Sequence, residues 1–128
     1  MKKSIFLLSI IIPLFAFNIS SLVFSEIISA FKTGNANALS SYFDEEVEIS
    51  ILDDDNVYPK TEAKQIMEKF FASYKPTSFA KQHEGTSPSG ANYCIGILKT
   101  SKGIFRVSIH AKSIGGKKVV KQVQIEEE

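Results

Sequence analysis

The side chains in this sequence best suited to chemistry are few. His83 and His110 are its only histidines, Arg106 its only arginine and Cys94 its only cysteine. Histidine titrates near neutrality, so either imidazole can move a proton or meet an anion. Arg106 offers the planar fork that suits a carboxylate or a phosphate. Tyr93 stands beside Cys94 in the stretch HEGTSPSGANYCIG, which also contains His83. His83, Tyr93, Arg106 and His110 are therefore the candidate ligand-binding residues. None of them is assigned a catalytic role.

Each candidate also has a structural reading. His83 can hydrogen-bond the turn that follows it. His110 can sit on the wet face of a sheet. Arg106 can pair across strands with Glu126 or Glu84. A single cysteine allows no intramolecular disulfide, and in an apolar strand it packs as a small hydrophobe. Two histidines without a placed carboxylate or thiolate make no metal site. The run DDDN (53–56) lacks the alternating ligands, central glycine and closing glutamate of a calcium loop, and it reads as a solvated turn. No nucleophile elbow, phosphate loop or Cys/His cluster is present. No cofactor is expected.

These residues need a frame. Val23, Phe24, Ile27, Ile28 and Phe31 recur at helical spacing, and Gly34-Asn35 stops that helix. Asn35 or Asn37 can cap a second, short helix carrying Leu39, Tyr42 and Phe43. Residues 47–52 alternate as a half-buried strand, with Glu48 turned to water. In TEAKQIMEKFFASYKP, Thr61 is the expected N-cap. Ala63, Ile66, Met67, Phe70, Phe71 and Tyr74 form one apolar face, Lys64 can pair with Glu68, and Pro76 ends the helix. From Ser78 onward, strands are separated by the turns SPSG, TSKG and GG. Phe105, Val107, Ile109 and Ala111 face one side, and Arg106 and His110 face the other. His83 is expected to share a face with Phe79 and Lys81. The spacing of Val120, Val123 and Ile125 predicts a bulge near Lys121. The strand Tyr93–Leu98 is apolar on both faces and expects cover on both. The fold class is α+β, with helices on one face of a curved antiparallel sheet.

The 128-residue chain suits one domain, and its 44% hydrophobic content argues against disorder. Residues 1–20 read as a secretory signal peptide, cut between 16 and 25, with the domain proper over 21–128; the rival reading is an uncleaved N-terminal anchor, because Leu14 to Phe24 stays fairly apolar. Lys2 and Lys3 precede a short apolar run, Pro13 breaks it, and small residues follow. Removing the two lysines leaves 13 basic residues against 14 acidic ones. A near-neutral domain has no field for nucleic acid. The expected location is periplasmic or extracellular, with no membrane attachment after cleavage.

The stretches AFKTGNANALSSYFDEEVEI, VYPKTEAKQIMEKFF, HEGTSPSGANYCIGILKT and GIFRVSI together resemble the nuclear-transport-factor-2-like fold, the cystatin-like cone. Within it they resemble a branch of small exported bacterial proteins known only as a domain of unknown function. The resemblance covers nearly the whole chain after the leader. It implies a cone with a pocket between the long helix and the concave sheet, and it implies no particular activity. An isomerase of this type needs an inward acid, and none is legible: Asp44, Glu45 and Glu46 sit at a junction, and Glu84 adjoins a turn. The favoured expectation is a non-enzymatic exported domain that binds a small molecule, a peptide or a protein partner, with a homodimer through the outer sheet face as one form. The alternatives are an isomerase or dehydratase with His83, Tyr93 and Arg106 near its pocket, and an interaction domain whose cone is filled by Phe70, Phe71, Phe79 and Phe105.

Overall fold

The computed structural model describes residues 19–128, with side chains from Phe24 onward. The leader expected over 1–20 lies almost wholly outside the described residues, and its cleavage region extends only to the first helical residues. Three helices come first or early: α1 (Ile19–Thr33), α2 (Ala36–Ser40) and α3 (Lys60–Ser73). Six strands complete the chain: β1 (Phe43–Ile51), β2 (Asp54–Pro59), β3 (Pro76–Thr86), β4 (Asn92–Thr100), β5 (Gly103–Ile114) and β6 (Lys117–Glu127). They form one curved sheet in the order β2-β1-β6-β5-β4-β3. All neighbours are antiparallel except β1 and β6, which run parallel. The class is α+β, as the element order implies. Among the described residues no helix is long and apolar enough to cross a membrane.

The helices cover one face of this sheet. Phe24, Ile27 and Phe31 of α1 and Met67, Phe70 and Phe71 of α3 are buried against it. Their partners are the inward alternates of the strands, among them Leu98, Phe105, Val107, Ile109, Val123 and Ile125. Gly34, at φ +66°, ends α1, and the Asn35 side chain accepts from the Ala38 amide to start α2. The Lys64–Glu68 pair forms at 3.9 Å on the wet side of α3. The bulge expected near Lys121 is present. Ala111 pairs with Val120 and His110 with Gln122, so Lys121 is the extra residue.

Three local expectations fail. The second helix carries Leu39 but neither Tyr42 nor Phe43, because it ends at Ser40 and Phe43 opens β1. The segment DDDN is not a turn, because Asp54 opens β2 and only the residues before it turn. This strand is an exposed edge whose residues, apart from half-buried Tyr58, face solvent, so no apolar alternation marks it. Thr61 does not cap α3. The helix begins two residues earlier than that cap implies, at Lys60, with Pro59 at the cap position and no side-chain cap bond. The ring of Pro59 fixes φ at −58° and sets the entry to the helix without a hydroxyl.

Candidate functional site

The outer face of the sheet carries three of the four candidate residues as one cluster. Tyr93 stands opposite His110, His110 opposite Gln122, and Gln122 opposite Glu48. The next row runs His83, Ile95, Ser108, Gln124 and Ser50. Tyr93 leans across β3 over Gly85, where a Cβ would come within 2.5 Å of its hydroxyl. That bare glycine lets the ring reach His83, and Tyr93 Oη lies 2.9 Å from His83 Nε2 in a hydrogen bond. The His83 and Tyr93 rings sit 5.4 Å apart at 39°, and Tyr93 and His110 sit 6.3 Å apart at 35°. The three rings thus make a continuous platform held from beneath by the backbone. Beyond His110, where β1 bulges away from β6, an open groove of about 580 Å³ is walled by Asp44, Glu46, Glu48, His110 and Lys121. Lys121 bridges it to Asp44 and holds that carboxyl below its ordinary range, helped by the Glu45 amide.

Arg106 shares this face but not the cluster. It lies four residues along β5 from His110, about 13 Å at strand rise. Glu126 is its direct cross-strand neighbour, yet the ion pair it makes is with Glu128, at 3.6 Å. Both partners are well exposed, so the pair contributes little.

His83 was expected on the face of Phe79 and Lys81 and bonded to its turn, and both expectations are corrected. The register of β3 slips between Lys81 and His83, leaving Gln82 unpaired. The slip reverses the alternation, so Phe79 points into the core and His83 points out. Its hydrogen bond goes to Tyr93 rather than to the turn.

The same slip produces the residue that sequence reasoning missed. Glu84 stands opposite Cys94 on the helix side of the sheet. One carboxylate oxygen takes a hydrogen bond from Lys81 Nζ at 2.9 Å, and this raises the Lys81 pKa. The other, Oε1, is buried with no hydrogen-bond partner. Burial, then the Glu84 charge, push the Cys94 thiol up to about 11, so it stays protonated and inert at neutral pH. No signal in the run KQHEG announces a bulge, so the inward turn of Glu84 was invisible.

Between the helices and the sheet the core is packed with aromatic rings. Phe31 packs edge-on to Phe71 at 5.8 Å and also meets Phe79 at 5.8 Å. Phe70 stacks on Tyr74 at 5.1 Å and meets Phe105 edge-on at 5.5 Å. Both histidines lie on the far side of the sheet from Glu84, so no imidazole reaches that carboxylate. Among the described residues no three His, Cys, Asp or Glu side chains converge as metal ligands.

The sequence profile of the family described as "Domain of unknown function (DUF4783)" matches residues 24–126. The chain belongs to the DUF4783 family. Two solved DUF4783 proteins are similar to it over nearly their full length. One, from Bacteroides uniformis, is 32% identical with a TM-score of 0.77, covering 81% of this chain and 95% of its own. The other, from Bacteroides ovatus, is 28% identical with a TM-score of 0.77, covering 81% and 94%. Likeness in fold alone extends to a Nostoc punctiforme domain of unknown function with a cystatin-like fold, at 9% identity and a TM-score of 0.66 over 85% of this chain and 76% of that one. The DUF4783 domain described here thus shares its fold with nuclear-transport-factor-2-like and cystatin-like proteins. Among curated proteins none matches the chain.

Proposed function

We propose that this DUF4783 protein is an exported, non-enzymatic domain that works by binding a protein partner on the outer face of its sheet. The observation that carries the reading is the outward platform of Tyr93 between His83 and His110, set beside half-buried Ile95 and Ile97, with charge confined to its flanks at Arg106, Glu48 and Lys121. Loss of charge together with aromatic enrichment is what distinguishes the centre of a protein interface from ordinary surface. The interlocked rings inside the cone support a scaffold reading over a small-molecule one.

Both sheet edges are poor docking sites, which directs a partner to the face. The β3 edge is broken by the Gln82 bulge and carries Lys81, and the β2 edge is acidic and ends in Pro59. A second reading, an isomerase-like enzyme, is favoured only by the unpartnered Glu84 Oε1. Its nearest polar companions are Lys81, already engaged, and a thiol that holds its proton.

Native mass spectrometry of the protein isolated from cells that make it tests the choice. The masses expected are those of protein chains alone. A stoichiometric small-molecule adduct, released on denaturation, would overturn the reading in favour of a pocket.

A further inference from the structure

The hairpin that joins β5 to β6 stands clear of the sheet. β4 leaves β5 at Ala111, and β1 joins β6 only at Val120, so from Lys112 to Val119 the two strands pair only with each other. They form an arm that reaches about 10 Å past its neighbours at strand rise. Gly115 and Gly116, both at positive φ, make its two-residue turn, and among the described residues nothing fills the space a side chain would take there. Lys112, Ile114 and Lys117 are exposed, with Ile114 49% open to solvent at the tip. Between Glu84 and Glu126 the chain carries no acid, so nothing on the arm itself offsets Lys112, Lys117 and Lys118. Among the described residues none of these three lysines makes an ion pair, and Asp44, near the arm's base, is taken by Lys121.

The opposite end of the same ladder is the arm's complement. β6 runs about 33 Å from Lys117 to Glu127. Where it ends, Leu52, Asp53, Glu126 and Glu127 wall an open groove of about 370 Å³. Leu52 is 39% exposed, and its amide donates to the Ile125 carbonyl at 2.9 Å, which ties the β1–β2 turn to β6. Among the described residues none of the three acids makes an ion pair, and the neighbouring Arg106 is turned to Glu128. We infer that the arm of one chain seats in this groove of a second copy, with Ile114 against Leu52 and the lysines against Asp53, Glu126 and Glu127. The inference does not depend on the reading that the outer sheet face binds protein. An arm meeting an arm sets lysine against lysine, and a groove meeting a groove sets acid against acid. Only the arm-to-groove contact joins apolar to apolar and base to acid. Such a contact is heterologous: each added chain leaves an arm at one end and a groove at the other, so chains add in sequence as a filament or a ring. The tip is small beside the ~1,200 Å² of a stable interface, so the chains join weakly and reversibly.

Sedimentation equilibrium of the full chain, purified in the form the cell yields, tests this. At low salt the weight-average mass is expected to climb with concentration past that of a dimer, and to fall back toward one chain at about 1 M salt. Lys112→Glu with Lys117→Glu makes the arm acidic, and Glu126→Lys with Glu127→Lys makes the groove basic. Each double variant alone is expected to associate at least about tenfold more weakly, because its arm and groove then carry the same sign. An equimolar mixture of the two is expected to regain the native association, since each arm then finds a groove of opposite sign. All four positions are exposed, so neither double variant reaches the core. Polarity is read by disulfide capture: Ile114→Cys chains are expected to cross-link with Leu52→Cys chains and not with one another. A monomer at the highest soluble concentration in low salt would overturn the second copy as occupant. Association indifferent to both double variants would overturn the arm and groove as the contact. Cross-linking of Ile114→Cys chains with themselves would overturn the head-to-tail order. None of these results bears on the outer face, which is tested separately at Ile95.

Discussion

Gly96 offers a sharp test of how the sheet meets its helices. It sits on the inward face of β4 between two outward isoleucines, and the Phe79 ring of β3 lies over it. A Cβ at this position would come within 2.4 Å of Phe79 Cε1 and Cζ and within 2.9 Å of the Ala80 carbonyl oxygen. Ordinary contact begins near 3.4 Å, so the ring must retreat by about 1 Å. It has little room to do so, because Phe31 already packs against it at 5.8 Å. The Ala80 carbonyl cannot yield without disturbing the Ala80–Ile97 pairing. Gly96→Ala is therefore expected to destabilise the fold by about 2 kcal/mol, within the range for overpacked cores. Equilibrium urea unfolding measures this directly as a shift in midpoint at constant slope. Phe79→Leu alone is expected to cost about 1 kcal/mol. If the collision is the cause, Gly96→Ala in the Phe79→Leu background costs well under its value in the native chain. An unchanged midpoint for Gly96→Ala, or strict additivity with Phe79→Leu, would refute the argument.

Other perturbations follow from the same structure. Phe24 is wholly buried, so a chain beginning after Ser25, or Phe24→Ala, is expected to lose about 3–5 kcal/mol of stability by urea unfolding, and N-terminal sequencing of the protein from cells that make it is expected to find its start upstream of Phe24. The Cys94 thiol keeps its proton to about 11 in the fold against 9.0 when exposed. The folded state therefore binds more protons across that window, and stability falls as pH rises through it, by up to roughly 2 kcal/mol. Cys94→Ala is expected to flatten that slope, and thiol reagents are expected to label Cys94 at neutral pH only as the protein unfolds. The Lys121 contact lowers the Asp44 pKa, so its small stabilisation is present above the ordinary carboxylate range and lost as pH falls through the lowered value. Lys121→Met is expected to return the Asp44 titration, followed by nuclear magnetic resonance, toward 3.8.

Where side chains alternate regularly, the sequence announced the structure. The α3 stripe, the faces of β5 and the Lys121 bulge were legible because burial imposes a period that composition reports. The family resemblance added the topology, which local pattern alone did not supply. β2 escaped because a solvated edge strand needs no apolar alternation, and its acids read as a turn. The start of α3 escaped because proline geometry set it in place of a hydroxyl cap. The outward placement of Arg106 and His110 was legible from parity, whereas that of Tyr93 was not, because its strand is apolar on both faces. Their grouping was not, since nothing in the sequence reports that Gln82 bulges. That one unpaired residue sends His83 outward to Tyr93 and turns Glu84 inward toward Cys94. A slip of one residue exchanges the two faces of a strand, so the site depended on a feature with no signal of its own.

The most direct test of the outer face as the working surface is site-specific photo-cross-linking in cells that make the protein. A photoreactive residue is placed at Ile95, on the platform face, and separately at Gln65, exposed on α3. The account predicts a discrete protein adduct from position 95, identified by mass spectrometry as a second copy or another defined chain, and none from position 65. Adducts from position 65 with none from position 95 would contradict it, and would move the search to the helices and the cone they close.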